Sequence, residues 1–135
     1  MRLCVDAICI DEDNNIVLVE RLNNPTGLAF PGGGIEEGED RGSAIVREVS
    51  EETGLTFTLS YWLNKVYDKP GRDPRGPSTS HVAVGYVKGV VKNEEGKTRV
   101  VVLSRGELAE GERKMAFDHH DIFLDFLKGV HRRSI

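Results

Sequence analysis

Residues 33–55, GGIEEGEDRGSAIVREVSEETGL, constrain the fold of this 135-residue chain more than any other stretch. Ile45, Val46 and Val49 recur at the angular step of an α-helix, so residues 41–53 read as a helix with these three side chains buried. Asp40 or Ser43 can cap its start, and Gly54 supplies a left-handed stop. Glu48, Glu51 and Glu52 fall at i, i+3 and i+4 on one narrow arc, with Ala44 one turn earlier on the same stripe. Like charges at this spacing cost a few tenths of a kcal/mol per pair, roughly, so the arc calls for a counter-charge. Arg47 can hold one carboxylate. Several oxygens converging beside it suit a hard divalent cation, and Mg²⁺ best, because it keeps waters and bridges a few carboxylates to substrate phosphates.

An acidic run is ordinarily a solvated face. Three features favour the metal-site reading here. Gly32-Gly33-Gly34 form a glycine-rich turn that lets backbone approach a ligand closely. The helix is capped at both ends, and the flanking segments read as strands. The element is therefore a loop-helix-loop presenting carboxylates beside a sheet.

The remaining chain reads as one domain, residues 1–135, long enough for a single core. Residues 3–10 and 16–19 pair as a hairpin across the Asp11–Asn15 turn cluster, and residues 22–28 form a loop. Residues 56–67 and 80–91 are strands separated by a proline-rich polar loop. Asn93-Glu94-Glu95-Gly96 makes a hairpin turn before a strand at 98–103. Asp118–Val130 is a helix burying Ile122, Phe123, Phe126 and Leu127, with Asp118 at its N-cap. The class is α+β. A net charge of −4 argues against a general nucleic-acid binder, which would show a basic face. Cys4 and Cys9 are expected as reduced core residues. No signal or membrane segment is apparent at the start, so a cytoplasmic enzyme without membrane contact is expected.

The 23 residues from Gly33 to Leu55 match G-x5-E-x7-R-E-U-x-E-E-x-G-U, U being apolar, at all nine fixed positions. The chain thus resembles a Nudix hydrolase. That resemblance implies an α/β/α sandwich with a mixed sheet, and water attack on a nucleoside diphosphate linked to another group X. Pro70 stands 15 residues beyond Leu55, where Nudix ADP-ribose pyrophosphatases carry a proline. Tyr67–Gly76 looks like the D-P-x-R-D-P-R-G loop of the short prokaryotic ADP-ribose hydrolases, although Lys69 separates Asp68 from the proline. Ala116-Phe117-Asp118-His119 is similar to the A-F-D-H segment of the same subgroup.

The resemblance implies Mg²⁺-dependent cleavage of ADP-ribose to AMP and ribose 5-phosphate, with Mn²⁺ as a substitute metal. Glu48 and Glu52 are expected as metal ligands and Glu51 as a further ligand or the base. Gly32 would offer its backbone carbonyl. Arg47 would orient Glu48, and Glu39 would tie the loop to the helix or hold an outer metal. The base has loop alternatives in Glu94, Glu95, Glu107, Glu110 and Glu112. Arg72 and Arg75 are candidates for phosphate or ribose contacts through their bidentate forks. Asp73 either accepts from a ribose hydroxyl or holds an arginine, and Phe30 either borders the base or packs in the core. The alternatives are a MutT-like nucleoside triphosphate pyrophosphatase, an NADH or dinucleoside polyphosphate hydrolase, and a non-catalytic ADP-ribose sensor. A homodimer is expected from the resemblance, with a small-molecule nucleotide as the other partner.

Overall fold

The computed structural model describes residues 1–93 and 96–129. Strand β1 (Arg2–Ile10) alternates its side chains between two faces of the sheet, as any strand must. Val5, Ala7 and Cys9 pack with Ala44, Ile45 and Val49 of helix α1 (Arg41–Thr53). Ile8 and Ile10 instead join a cluster with Leu108 of α2 (Arg105–Glu110) and Ile122 and Phe123 of α3 (His119–Lys128). A mixed sheet therefore lies between α1 and the α2–α3 pair, the α+β sandwich expected from the box.

The sheet has seven strands. Along one edge, β1 runs parallel to β6 (Ser78–Lys88), which pairs in turn with β5 (Thr56–Tyr67). The other edge of β1 is divided. Cys4–Asp6 pair with β4 (Gly32–Gly34), whereas Cys9 and Ile10 pair with β2 (Ile16–Arg21). At that fork the Ala7 N–H donates to the Pro31 carbonyl at 2.8 Å, fixing the entry to the box against the middle of the sheet. The three glycines expected as a turn are thus a strand, and β3 (Gly27–Ala29) begins where a loop was expected.

Strand β7 (Thr98–Leu103) pairs antiparallel with β2 and not with the strand before it. Both edges of β6 are already occupied by β1 and β5, so a hairpin there has no partner to close on. Glu94 and Glu95 of the expected turn, like Val130 at the expected helix end, lie outside the described residues. Helix α2 is an element the sequence reading omitted. Val46 and Leu127 are exposed where burial was expected, and Ala44 is fully buried where it was assigned to the acidic arc. Cys4 and Cys9 are free and buried, as expected. Among the described residues no helix is long and apolar enough to cross a membrane.

Candidate active site

Helix α1 is held as its sequence indicates. Asp40 accepts from the Ser43 N–H at 2.7 Å, and Gly54 adopts φ 76° while donating to the Ser50 carbonyl. Glu52 follows Ile45 by one heptad, which displaces it only roughly 20° around the helix. It therefore lies on the buried face, 9% exposed, and not on a solvated arc. A carboxylate there needs a donor. The Gly32 N–H supplies one at 2.7 Å.

Glycine is required at position 32 by close approach of the β1 backbone. A Cβ on Gly32 would collide with the Val5 carbonyl and the Asp6 carboxylate, and one on Gly33 would sit 2.7 Å from the Glu48 carboxyl carbon. Arg47 gathers the rest of the acidic group. It donates to both oxygens of Glu39 at 2.8 and 2.9 Å, to Glu48 at 2.8 Å and to the Gly34 carbonyl at 3.1 Å. Glu51, half-exposed, lies 3.4 Å from the same guanidinium. Hydrogen bonds from Arg47, then the Glu36 N–H, pull the Glu39 carboxyl down to about 2, and the same contact raises the Arg47 guanidinium. Arg47 is thus the local counter-charge. Among the described residues no three acidic, histidine or cysteine side chains already converge into a cation cage.

Gly32, Gly33 and Glu52 also line a small open cleft of about 80 Å³. Arg2, Arg21, Arg75 and Phe117 contribute to its walls. Phe117 holds a left-handed backbone, φ 57°, that bulky residues rarely adopt. Its ring centroid lies 5.2 Å from the Arg21 guanidinium carbon and 5.4 Å from that of Arg75. Burial pushes the Arg21 guanidinium down, and the neighbouring Arg75 charge adds to this. Its Nε is anchored by a neutral group, the Pro25 carbonyl, at 2.7 Å.

The arginines named from sequence divide in role. Arg72 is buried and donates to both oxygens of Asp118 at 2.9 and 2.8 Å and to Ser78 at 2.7 Å, so its fork is occupied by the protein. Asp118 stands at the N-cap of α3, as expected, but makes no side-chain cap bond; its carboxylate is held by Arg72. Asp73 holds Arg75, at 3.1 and 3.0 Å, while also accepting from its backbone N–H. Burial raises the Asp73 carboxyl, but these bonds outweigh it and leave it below the usual range. Phe30 lines the cleft yet is 2% exposed, its ring stacked on His119 at 5.1 Å. Arg2, Arg21 and Phe117 were not assigned to substrate from sequence, because nothing local in the chain marks them as neighbours.

Comparison with known proteins bears directly on this arrangement. The family model described as NUDIX domain matches residues 1–133. The chain belongs to the Nudix family. It is 38% identical over 129 residues to an ADP-ribose pyrophosphatase of Methanocaldococcus jannaschii, a match covering 93% of this chain and 73% of that protein. A bifunctional NMN adenylyltransferase/ADP ribose pyrophosphatase of Francisella tularensis, solved with AMP and a manganese ion, superposes with a TM-score of 0.81 at 29% identity. That match covers 94% of this chain but only 41% of the longer Francisella chain. The NUDIX domain of Shewanella oneidensis NrtR, solved with ADP ribose, gives 0.78 at 21% identity over 96% of this chain and 88% of its own, and so speaks to the fold.

As a Nudix hydrolase, the domain acts on a nucleoside diphosphate linked to a further group. The Nudix box places Glu48 and Glu52 against Gly33 and Gly32, with Glu51 farther out. Of the loop glutamates weighed as the base, Glu107 is engaged in capping α2, its carboxylate accepting from the Ser104 N–H at 3.0 Å.

Proposed function

We propose that this domain hydrolyses ADP-ribose, in a Mg²⁺-dependent reaction, to AMP and ribose 5-phosphate. The observation that carries this reading is the continuity of the Nudix box with an arginine-lined cleft: Glu52 and Gly32–Gly33 border the same space as Arg2, Arg21 and Arg75. Such a cleft suits a diphosphate approaching a carboxylate-rich centre. The name of the Methanocaldococcus relative supports ADP-ribose as the substrate.

The donor set fits Mg²⁺, or Mn²⁺, in kind: Glu48, Glu51 and Glu52 offer hard oxygens, and the Gly32 carbonyl would add a further one. Bound there, the metal would neutralise the diphosphate and lower the pKa of a water. Glu39 serves mainly to hold Arg47, which fixes Glu48. Glu51 is the exposed carboxylate of the box and is assigned to take the proton from the attacking water. Arg21 orients the phosphates, Arg75 adds positive charge beside it while its fork is held by Asp73, and Phe117 lies against both guanidinium groups. The intact set of box carboxylates favours hydrolysis over mere sensing.

One panel tests the substrate: ADP-ribose, NADH, diadenosine polyphosphates and 8-oxo-dGTP, each with Mg²⁺. The expected result is the highest kcat/KM for ADP-ribose with AMP as product. Preference for 8-oxo-dGTP would give the MutT-like reading instead. Tight ADP-ribose binding without AMP release would give the sensor.

A further inference from the structure

Three consecutive residues, Phe30-Pro31-Gly32, lead into the box, and each is held by a different element. Pro31 has no N–H, so Phe30 and Gly32 carry the only backbone donors of this stretch. The Gly32 N–H donates to Glu52 of α1 at 2.7 Å. The Phe30 N–H donates to Nδ1 of His119, the first residue of α3, at 3.0 Å. Between them the Pro31 carbonyl accepts from Ala7 of β1. His119 and Glu52 therefore grip the two ends of one short bar.

His119 is itself fixed. With Nδ1 accepting, its ring proton belongs on Nε2, which faces Asp6 Oδ2 at 3.6 Å. Asp6 accepts from the Ser80 hydroxyl, and the imidazole stacks on Phe30 with an interplanar angle of 24°. Asp6, Ser80 and His119 are all buried. A side chain this constrained, accepting from the backbone two residues before Gly32, is well placed to set the height of the Gly32 peptide.

We infer that His119 is a positioning residue for hydrolysis: through Phe30–Gly32 it sets the Gly32 N–H and hence the Glu52 carboxylate, with Asp6 orienting the ring. This rests on Glu52 serving the reaction, as proposed above, but not on which substrate is cut. The distinguishing variants are His119→Asn and His119→Gln. Asparagine carries an acceptor where Nδ1 stands and can keep the Phe30 bond. Glutamine places its amide toward Asp6 and leaves Phe30 without an acceptor.

On whichever panel substrate the wild type cuts best, His119→Gln is expected to lower kcat about 10- to 100-fold with KM little changed. His119→Asn should restore most of that rate. Amide hydrogen exchange on the metal-free protein gives a second readout: Phe30 and Gly32 should lose protection together in His119→Gln and keep it in His119→Asn. A merely structural role would lower thermal stability in both variants without separating their kcat. Equal kcat for the two, or Gly32 protection unchanged when Phe30 protection is lost, overturns the inference. Glu52→Gln is the control. If it retains full turnover, the reading of Glu52 falls; if it is inactive while His119→Gln matches wild type, only the role of His119 falls.

Discussion

The box helix and the segment from Met115 to His119 both border the cleft, yet they are organised on opposite principles. The box is local: Arg47 meets Glu39, Glu48 and Glu51 within one loop and three helical turns. The second segment works almost wholly at a distance. Met115 bridges Leu28, Asp118 receives Arg72 from 46 residues away, and His119 receives the Phe30 N–H from 89 residues away. One region concentrates the reacting groups, and the other ties together the chain segments that face them. Substitutions in the first should therefore alter turnover directly, and substitutions in the second should act through stability or, as at His119, through the geometry they pass on to the first.

The largest effect is expected at the box. Glu52→Gln keeps the size of the side chain but weakens the acceptor for Gly32 and removes a carboxylate from the centre. Turnover at saturating Mg²⁺ should fall at least ~100-fold, read as AMP released. Thermal stability should change little by comparison.

Arg72→Ala should show the reverse. It strands Asp118, whose side chain is 14% exposed, beside the space left by an arginine side chain that is 4% exposed. Breaking a buried pair on one side costs about 3–5 kcal/mol. Urea unfolding should register that loss, while kcat per folded molecule stays near wild type. If stability is kept and KM rises instead, Arg72 contacts substrate and the contrast between the two regions fails at this residue.

The contrast also accounts for what could be read in the chain beforehand. The helix limits, both caps and the acidic spacing are short-range properties, and all were legible. So was the burial of Glu52 in principle, since it stands one heptad after Ile45. The pairing of Arg72 with Asp118 was not, because both residues have simpler local readings, as a phosphate ligand and as an N-cap. The place of β7 was hidden for the same reason. Adjacent strands suggest a hairpin until it is known that β6 is flanked by β1 and β5. Phe117, with its left-handed backbone, is set by the contacts around it and not by its own preference.

A smaller effect is expected where the regions meet. Arg21→Ala removes a cleft cation whose hydrogen-bond partner among the described residues is a neutral carbonyl, so KM for the diphosphate substrate should rise about tenfold with kcat nearly kept. Arg21→Lys should not rescue it, because a single ammonium cannot reproduce the fork. An unchanged KM in both variants would remove Arg21 from the substrate side.

Acid sensitivity separates the two regions in another way. The Glu39 carboxyl lies at about 2 in the folded protein against an ordinary 4.5. Because the folded value is depressed, its contribution is fully present above about 4.5 and is lost as pH falls toward 2. Unfolding midpoints measured from pH 7 to 3 should therefore decline less steeply below pH 4.5 in Glu39→Gln than in wild type. Parallel curves would show that the Arg47–Glu39 contact does not contribute to acid stability.

The smallest effect falls on α2, a helix that is local in origin yet was not anticipated. Ser104-Arg105-Gly106-Glu107 has the S-x-x-E spacing of a capping box, and both reciprocal bonds are present: Glu107 N–H to Ser104 Oγ at 3.1 Å and Ser104 N–H to Glu107 at 3.0 Å. Only six residues long, the helix has little intrinsic stability and depends on this cap and on burial of Leu108. Ser104→Ala should cost about 1 kcal/mol, measured by urea unfolding. Turnover should be unaffected, since the cap lies outside both regions that border the cleft. A loss of kcat in this variant would mean that α2 acts on the site, and the division into a reacting region and a tying region would need a third member.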